Sequence, residues 1–244
     1  MIGNFFLKMF MSIINLIDLQ NKSKIIKFFK DAFDNKVINI LDIGAHKGET
    51  IDLFNKNFNV SKIYSFEPNV NLFKILKGNQ KYNNNKIEIF NLGFGERTEV
   101  KELNIFKDTS SSTINYINEN TIYFKRKQRF MSFFFNNKNF LVEKQKVQIR
   151  NLSEFIFEQS IDKIHILKID TEGYEYKILK GLKNEDFKKI KFIYFEHHYD
   201  LMINKGYKFS DIDKFLTTNK FHKKYKLRMK FRKSFEYIYE NSKK

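Results

Sequence analysis

A chain of 244 residues with 42% hydrophobic and 30% charged content has apolar material for one α/β domain and too little length for two of ordinary size. With no cysteine, disulfides, thiolate metal sites and cysteine-nucleophile chemistry are excluded. A formal net charge of +17 points toward an anionic partner, but Lys, Asn, Ile and Phe are abundant together while Pro, Trp and Cys are nearly or wholly missing, so compositional bias explains most of it.

The apolar stretch from Phe5 to Ile17 is interrupted by Lys8, Ser12 and Asn15 and falls short of the ~20 residues a membrane span needs. It lacks the charged start and small-residue cleavage site of a signal peptide, so a helical cap is expected and the cytoplasm is the default location. A membrane-surface helix is the alternative for this segment. Apolar residues recur at helical spacing from about Ile13 to Phe33, and residues 1–36 are read as an N-terminal helical cap on a domain covering 37–244.

Val37 to Ile43 is short, apolar and β-branched, as a strand buried on both faces should be. A helix is expected from Lys47 to about Asn57, then a strand Lys62–Phe66, a helix Asn69–Gln80 opened by Pro68, and a strand Ile87–Leu92. Val100–Phe106 and Lys144–Ile149 read as strands or edge segments. Between them, about 108–140 is polar and then basic-aromatic without clear period, which suggests a lid-like insertion. Alternation resumes with a strand Ile164–Asp170, a helix Tyr174–Gly181, a strand Ile190–Glu196 and a helix Ser210–Thr218 capped by Ser210 or Asp211. Phe221–Tyr225 and Phe235–Tyr239 are expected to close the chain as an antiparallel hairpin. The pattern is that of an α/β fold with a mostly parallel sheet and helices on both faces.

Asp42-x-Gly44-x-x-x-Gly48 stands where the first strand hands over to a helix, and such a turn lets a ligand approach the backbone closely. A dinucleotide site would require G-x-G-x-x-G, and His46 occupies the second glycine position, so a ligand without a close pyrophosphate is indicated. Glu67, closing the second strand before Pro68, is placed to accept hydrogen bonds from two ribose hydroxyls. S-adenosylmethionine meets both conditions, with Asp42 facing its amino group directly or through water. Asp42, Gly44, Ala45, His46, Gly48, Glu67, Pro68 and Asp170 are the expected cofactor contacts.

Asp170 ends a buried strand, Glu172 and Gly173 lie on the turn beyond it, and the next strand ends in Glu196-His197-His198. A hydroxyl acceptor needs its proton taken as the new bond forms, and Asp170, Glu196, His197 and His198 are the candidate bases, left unseparated. Asp170, Glu172 and Glu196 are also the ligand set to consider for a divalent cation. The competing reading makes Asp170 and Glu172 structural, fixing the following loop and helix.

These blocks resemble the FkbM family of methyltransferases. The resemblance runs from Leu41–Thr50 through Ser65–Asn69 and Asn91–Gly95 to Leu167–Glu175, Leu179–Gly181 and Tyr194–His197. It implies a class I, Rossmann-like methyltransferase fold and O-methylation, commonly of sugars in glycans or of polyketide-type products. His46 stands where the family usually has Asn, and the insertion at 118–140 matches no family block, so the acceptor does not carry over.

Two rivals remain. With Pro68 as the single proline, the Pro-Pro loop of base-nitrogen methyltransferases is missing, yet ribose 2′-O-methylation of RNA passes this test. A non-catalytic module binding nucleic acid or another anionic ligand through Tyr123–Phe130 and Phe221–Lys233 is the other; the same stretches suit a lid over an anionic glycan or a lipid-linked acceptor, or a peripheral membrane contact. Oligomeric state is not readable from the sequence.

Overall fold

The computed structural model describes residues 20–106, 112–135, 141–229 and 233–242. The expected apolar cap at 5–17 and parts of the insertion and of the C-terminal basic stretch lie outside them. In chain order the elements are helix α1 over residues 20–33, β1 (Ile38–Ile43), α2 (Glu49–Asn57), β2 (Val60–Phe66), α3 (Val70–Gly78), a 3₁₀ turn (Gln80–Tyr82), β3 (Ile87–Phe90), β4 (Gly93–Gly95) and β5 (Glu99–Phe106). There follow β6 (Tyr116–Ile117), α4 (Ile122–Phe135), β7 (Leu141–Asn151), α5 (Leu152–Glu158), β8 (Ile164–Ile169), α6 (Glu175–Lys180) and α7 (Asn184–Phe187). The chain then forms β9 (Ile190–His198), β10 (Ile203–Asn204), α8 (Phe209–Thr218), β11 (Phe221–Arg228) and β12 (Ser234–Asn241).

Seven strands form the central sheet in the order β11-β12-β9-β8-β1-β2-β3. β3, β2, β1, β8 and β9 run parallel, and β12 is antiparallel to both β9 and β11. The expected C-terminal hairpin is therefore present. It adds the return strand β12 to the sheet between β9 and β11, with α8 carrying the chain across to β11.

The strands that read as continuous apolar runs are the ones covered on both faces. One core holds Ile25, Phe29 and Phe33 of α1 with Ile51 and Phe54 of α2 against Ile40, Ile166 and Phe192. The other holds Phe155 of α5, Ile178 of α6 and Ile212 of α8 against Leu41, Leu167 and Phe195. Strand pleating sends alternate residues to these two cores. Asp42, Lys168, Glu196 and His198 thereby share the α1–α2 face, whereas His197 joins the opposite one.

Three departures from the sequence expectation concern local structure. The insertion is not aperiodic: it contains the fourteen-residue helix α4 and the short strand β6, which pairs with β10. Its flanks β5 and β7 pair antiparallel and, with β4, form a separate three-stranded sheet. Helix α8 starts at Phe209 with Lys208 as its N-cap residue. Asp211 is not the N-cap residue but closes the helix start from the third helical position, where its carboxylate accepts from the Lys208 backbone N–H at 2.7 Å in a capping box.

Candidate functional site

Chain connections leave β1 toward β2 on one side and return to β8 on the other, so a crevice opens beyond the carboxyl ends of β1 and β8. Gly44 and Gly48 both have left-handed backbone, with φ of 88° and 91°. A Cβ on Gly44 would lie 1.9 Å from the Asp170 carbonyl oxygen, and one on Gly48 would lie 2.4 Å from the Tyr82 hydroxyl. Close packing of the turn against the end of β8 thus requires these glycines, in addition to any ligand. The backbone N–H groups of Gly44 and Ala45 both donate to the Phe66 carbonyl at 3.0 Å, tying this turn to the end of β2.

His46 also adopts positive φ, 50°, which turns its N–H toward Glu67. That N–H donates to Glu67 Oε2 at 2.8 Å, and the Asn69 N–H donates to Oε1 at 2.8 Å. The two bonds fix the carboxylate plane and leave each oxygen a further lone pair for a ligand hydroxyl. Burial pushes the Glu67 carboxyl up to about 7 against the pull of both N–H groups. At the start of α2 the Glu49 carboxylate accepts from the Lys47 N–H at 3.1 Å and meets the His46 ring at 3.0 Å. The N-terminus of α2 is therefore partly occupied by its own acid, which disfavours a phosphate there.

Two adjoining cavities occupy the crevice. The first, about 70 Å³, has Glu67, Pro68, Leu72, Phe94 and Leu103 in its walls. The second, about 320 Å³, is bounded by α1, α2, β8, β9 and β12, with Lys168, Tyr194, Glu196 and Glu236 in its walls. Gly44, His46, Asp170 and Glu172 line both and form the junction between them.

Asp42 lines neither cavity. It is fully enclosed, with Oδ2 accepting from the Ser65 hydroxyl at 2.9 Å and Oδ1 3.5 Å from Lys168 Nζ. Burial raises its pKa while Lys168 pulls the other way. Lys168 Nζ also lies 3.4 Å from Asp170 Oδ2. Burial opposes the ammonium charge, but Asp170 and Asp42 together hold its pKa above the ordinary lysine value. The sequence reading gives Lys168 no role, although its position two residues before Asp170 places it on the Asp170 side of the pleat.

The turn after β8 is organised by Glu175, whose carboxylate is fully buried. Oε1 accepts from the Gly173 N–H at 2.9 Å and from the Thr171 hydroxyl and N–H at 3.2 and 3.3 Å, while Oε2 accepts from the Tyr207 hydroxyl at 2.5 Å. These bonds hold Glu172 at φ 51° and Gly173 at φ 97°, projecting Glu172 into the junction. Gly173 is packed tightly, since a Cβ there would meet Lys205, Asn115 and Ile203 within 3.0 Å.

The two histidines separate. His198 Nε2 is 3.2 Å from Glu172 and 3.6 Å from Glu196, and its Nδ1 is 3.6 Å from Asp200. Burial works against its charge, but Glu172, Asp200 and Glu196 push it up to about 10, favouring the imidazolium form. Burial raises the Glu172 carboxyl in turn, against the opposing pull of His198. His197 points to the other face, among Tyr199, Tyr207 and Phe209, where burial pushes it down to about 4. It lines neither cavity.

Among the described residues no group of three or more His, Asp or Glu side chains is placed to hold a metal ion. The set considered for a cation is spread instead over two protein cations: Asp170 faces Lys168, and Glu172 and Glu196 face His198. No helix of the described residues is long and apolar enough to cross a membrane.

A family model described as the methyltransferase FkbM domain matches residues 42–227. No curated protein matches the chain. Among solved structures, it is similar to magnesium protoporphyrin IX methyltransferase (ChlM) from Synechocystis PCC 6803 with bound S-adenosyl-homocysteine. There the identity is 9%, the match covers 94% of this chain and 85% of that one, and the TM-score is 0.51. It is also similar to the METTL16 methyltransferase domain, at 10% identity over 88% of this chain and 65% of that one, with a TM-score of 0.50. At such identities the likeness is one of fold.

Proposed function

The chain belongs to the FkbM family of methyltransferases and is an S-adenosylmethionine-dependent enzyme, and from that premise we propose that it methylates a hydroxyl oxygen of a sugar or glycan acceptor. The observation that carries this reading is the meeting of the two cavities at Gly44, His46, Asp170 and Glu172, with an oriented carboxylate on each side. Chain residues 37–244 act as the catalytic unit and the N-terminal segment as its cap, with α1 closing the second cavity through Asn21 and Lys22.

The residues fit the cofactor. Glu67, held by two backbone N–H groups, accepts the ribose hydroxyls, and Leu72, Phe94 and Leu103 supply apolar walls for the base. When bound, S-adenosylmethionine supplies an electrophilic methyl group on a sulfonium. Asp170 faces the amino-acid end at the junction, and Asp42 acts from behind by fixing Lys168, which positions Asp170. Methyl transfer depends mainly on positioning the nucleophile, and an oxygen nucleophile also needs a proton acceptor. The acids around His198 favour its charged form and His197 faces away, so the base is assigned to a carboxylate. Glu172, more basic than an ordinary carboxylate and exposed to both cavities, takes the proton, with Glu196 beside it orienting the acceptor.

A ribose 2′-hydroxyl of RNA is the second reading. Its support is the exposed stripe of Lys125, Arg126 and Arg129 on one face of α4. The test is formation of S-adenosyl-homocysteine and methylated product with a panel of neutral and charged glycosides beside short RNAs. Methyl transfer to a glycoside hydroxyl that Glu172→Gln abolishes supports the proposal. Methylation confined to RNA transfers the site to the second reading.

A further inference from the structure

Glu196 and Glu236 face each other directly across the β9–β12 pair, on the face that lines the second cavity. Cross-strand partners lie only about 4.5–5.5 Å apart at Cβ, and like charges placed so destabilise a sheet. Glu196 is 6% exposed, and its Oε1 has no hydrogen-bond partner. Glu236 receives the Tyr194 hydroxyl at 2.5 Å, which serves one of its oxygens. Of the protein cations near the pair, Lys22 reaches the cavity from α1, Lys168 lies between Asp42 and Asp170, and His198 Nε2 is 3.2 Å from Glu172 and 3.6 Å from Glu196 Oε1, beyond hydrogen-bond distance. Among the side chains that line this cavity, Glu49, Asp170, Glu172, Glu196 and Glu236 outnumber the lysines Lys22 and Lys168, in a chain whose net charge is +17. Fold stability gives no reason for such a pair; a cationic ligand does.

The cofactor's own amino group does not reach it. Eight bonds separate a ribose oxygen from that nitrogen, about 10 Å when extended at roughly 1.2 Å per bond. Strands lie about 4.8 Å apart, so from Glu67 at the end of β2 that reach ends over β8, where Asp170 stands. β9 and β12 lie one and two strands further on.

Resting on the methyltransferase reading above, we infer that the β9–β12 wall of the second cavity is a subsite for a protonated amine of the acceptor, held between Glu196 and Glu236, so that the acceptor is an amino sugar. The amine sits beyond the cofactor's amino-acid end, and the hydroxyl to be methylated points back toward the junction at Asp170 and Glu172. The same wall repels an acceptor with a phosphate or carboxylate beside the reacting hydroxyl.

Calorimetric titration of the full chain saturated with S-adenosyl-homocysteine tests this. The probes are monoamino methyl hexosides, their N-acetyl forms, their hydroxyl parents and the matching uronides. At least one amine is expected to bind on the order of tenfold more tightly than its parent and its N-acetyl form, with uronides weakest. Glu196→Gln and Glu236→Gln each relieve the like-charge pair, so both variants fold. Each should remove the preference while leaving affinity for S-adenosyl-homocysteine unchanged. Equal or tighter binding of every hydroxyl parent, or no binding by any amine, overturns the inference. Failure of the protein to bind S-adenosyl-homocysteine at all would instead overturn the cofactor reading on which it rests.

Discussion

Replacing Lys168 by Met removes a cation that stands 3.5 Å from the completely enclosed Asp42 carboxylate. Asp42 would keep only the Ser65 hydroxyl, and its Oδ1, 3.5 Å from the ammonium in the wild type, would face a methyl group. Breaking a buried pair by deleting one partner costs about 3–5 kcal/mol, since the remaining charge is uncompensated. The double variant Lys168→Met/Asp42→Asn removes both charges, so its loss should fall short of the sum of the single losses by about 2 kcal/mol. Urea denaturation followed by circular dichroism measures these losses, with the m-value checked for constancy. The pH dependence has a definite sign. Burial raises the folded-state pKa of Asp42, and losing Lys168 raises it further. A group with a raised folded pKa contributes stability that is complete below its unfolded pKa and disappears as pH climbs through the folded value. Lys168→Met should therefore lose more stability at pH 8 than at pH 5. A loss below about 1 kcal/mol that is flat with pH, or strict additivity in the double variant, would refute the reasoning.

Glu175→Gln keeps the shape of the side chain that holds the Asp170–Gly173 turn but gives up its charge-assisted hydrogen bonds, worth about 1.5–3 kcal/mol each against 0.5–1.5 for neutral ones. The variant should fold and show kcat reduced about ten- to hundredfold with a smaller change in KM, read by steady-state kinetics; unchanged kcat would mean the turn holds itself. Because burial raises Glu172 while His198 pulls it down, the rising limb of kcat/KM against pH should lie above the ordinary carboxylate range. His198→Asn should move that limb higher still, and an unmoved limb removes Glu172 as the base. Gly44→Ala places a methyl group 1.9 Å from the Asp170 carbonyl at positive φ, so thermal unfolding should fall by several degrees and cofactor binding should be lost. An unchanged melting temperature would show that the turn relaxes freely.

The sheet is legible because β1, β8 and β9 are buried on both faces, leaving unbroken apolar runs in the sequence. α4 is not, since its aromatic residues fall in adjacent positions around Lys125-Arg126-Lys127-Gln128-Arg129 and mask the helical period. α5 does leave a signal: Asn151 accepts from the Ser153 and Glu154 N–H groups as a cap, and Leu152, Phe155 and Ile156 follow at helical spacing. Within the site, the acids at the ends of β1, β2 and β8 can be named from spacing, yet their use depends on which way each strand is pleated. Alternation alone divides His197 from Glu196 and His198. Glu236 is beyond such reasoning, because the register that sets it against Glu196 joins segments forty residues apart. The same holds for Glu175, which looks like a first-turn helix acid until Tyr207 is folded against it.

The central claim is that an S-adenosyl cofactor lies across the two cavities with its ribose on Glu67. Titration of S-adenosylmethionine and S-adenosyl-homocysteine into the wild type and Glu67→Ala tests it most directly. One-site binding by the wild type, weakened at least about a hundredfold in Glu67→Ala as expected for losing a carboxylate that accepts two hydroxyls, is the expected result. Absence of binding by the wild type, or equal affinity in the two proteins, would contradict it.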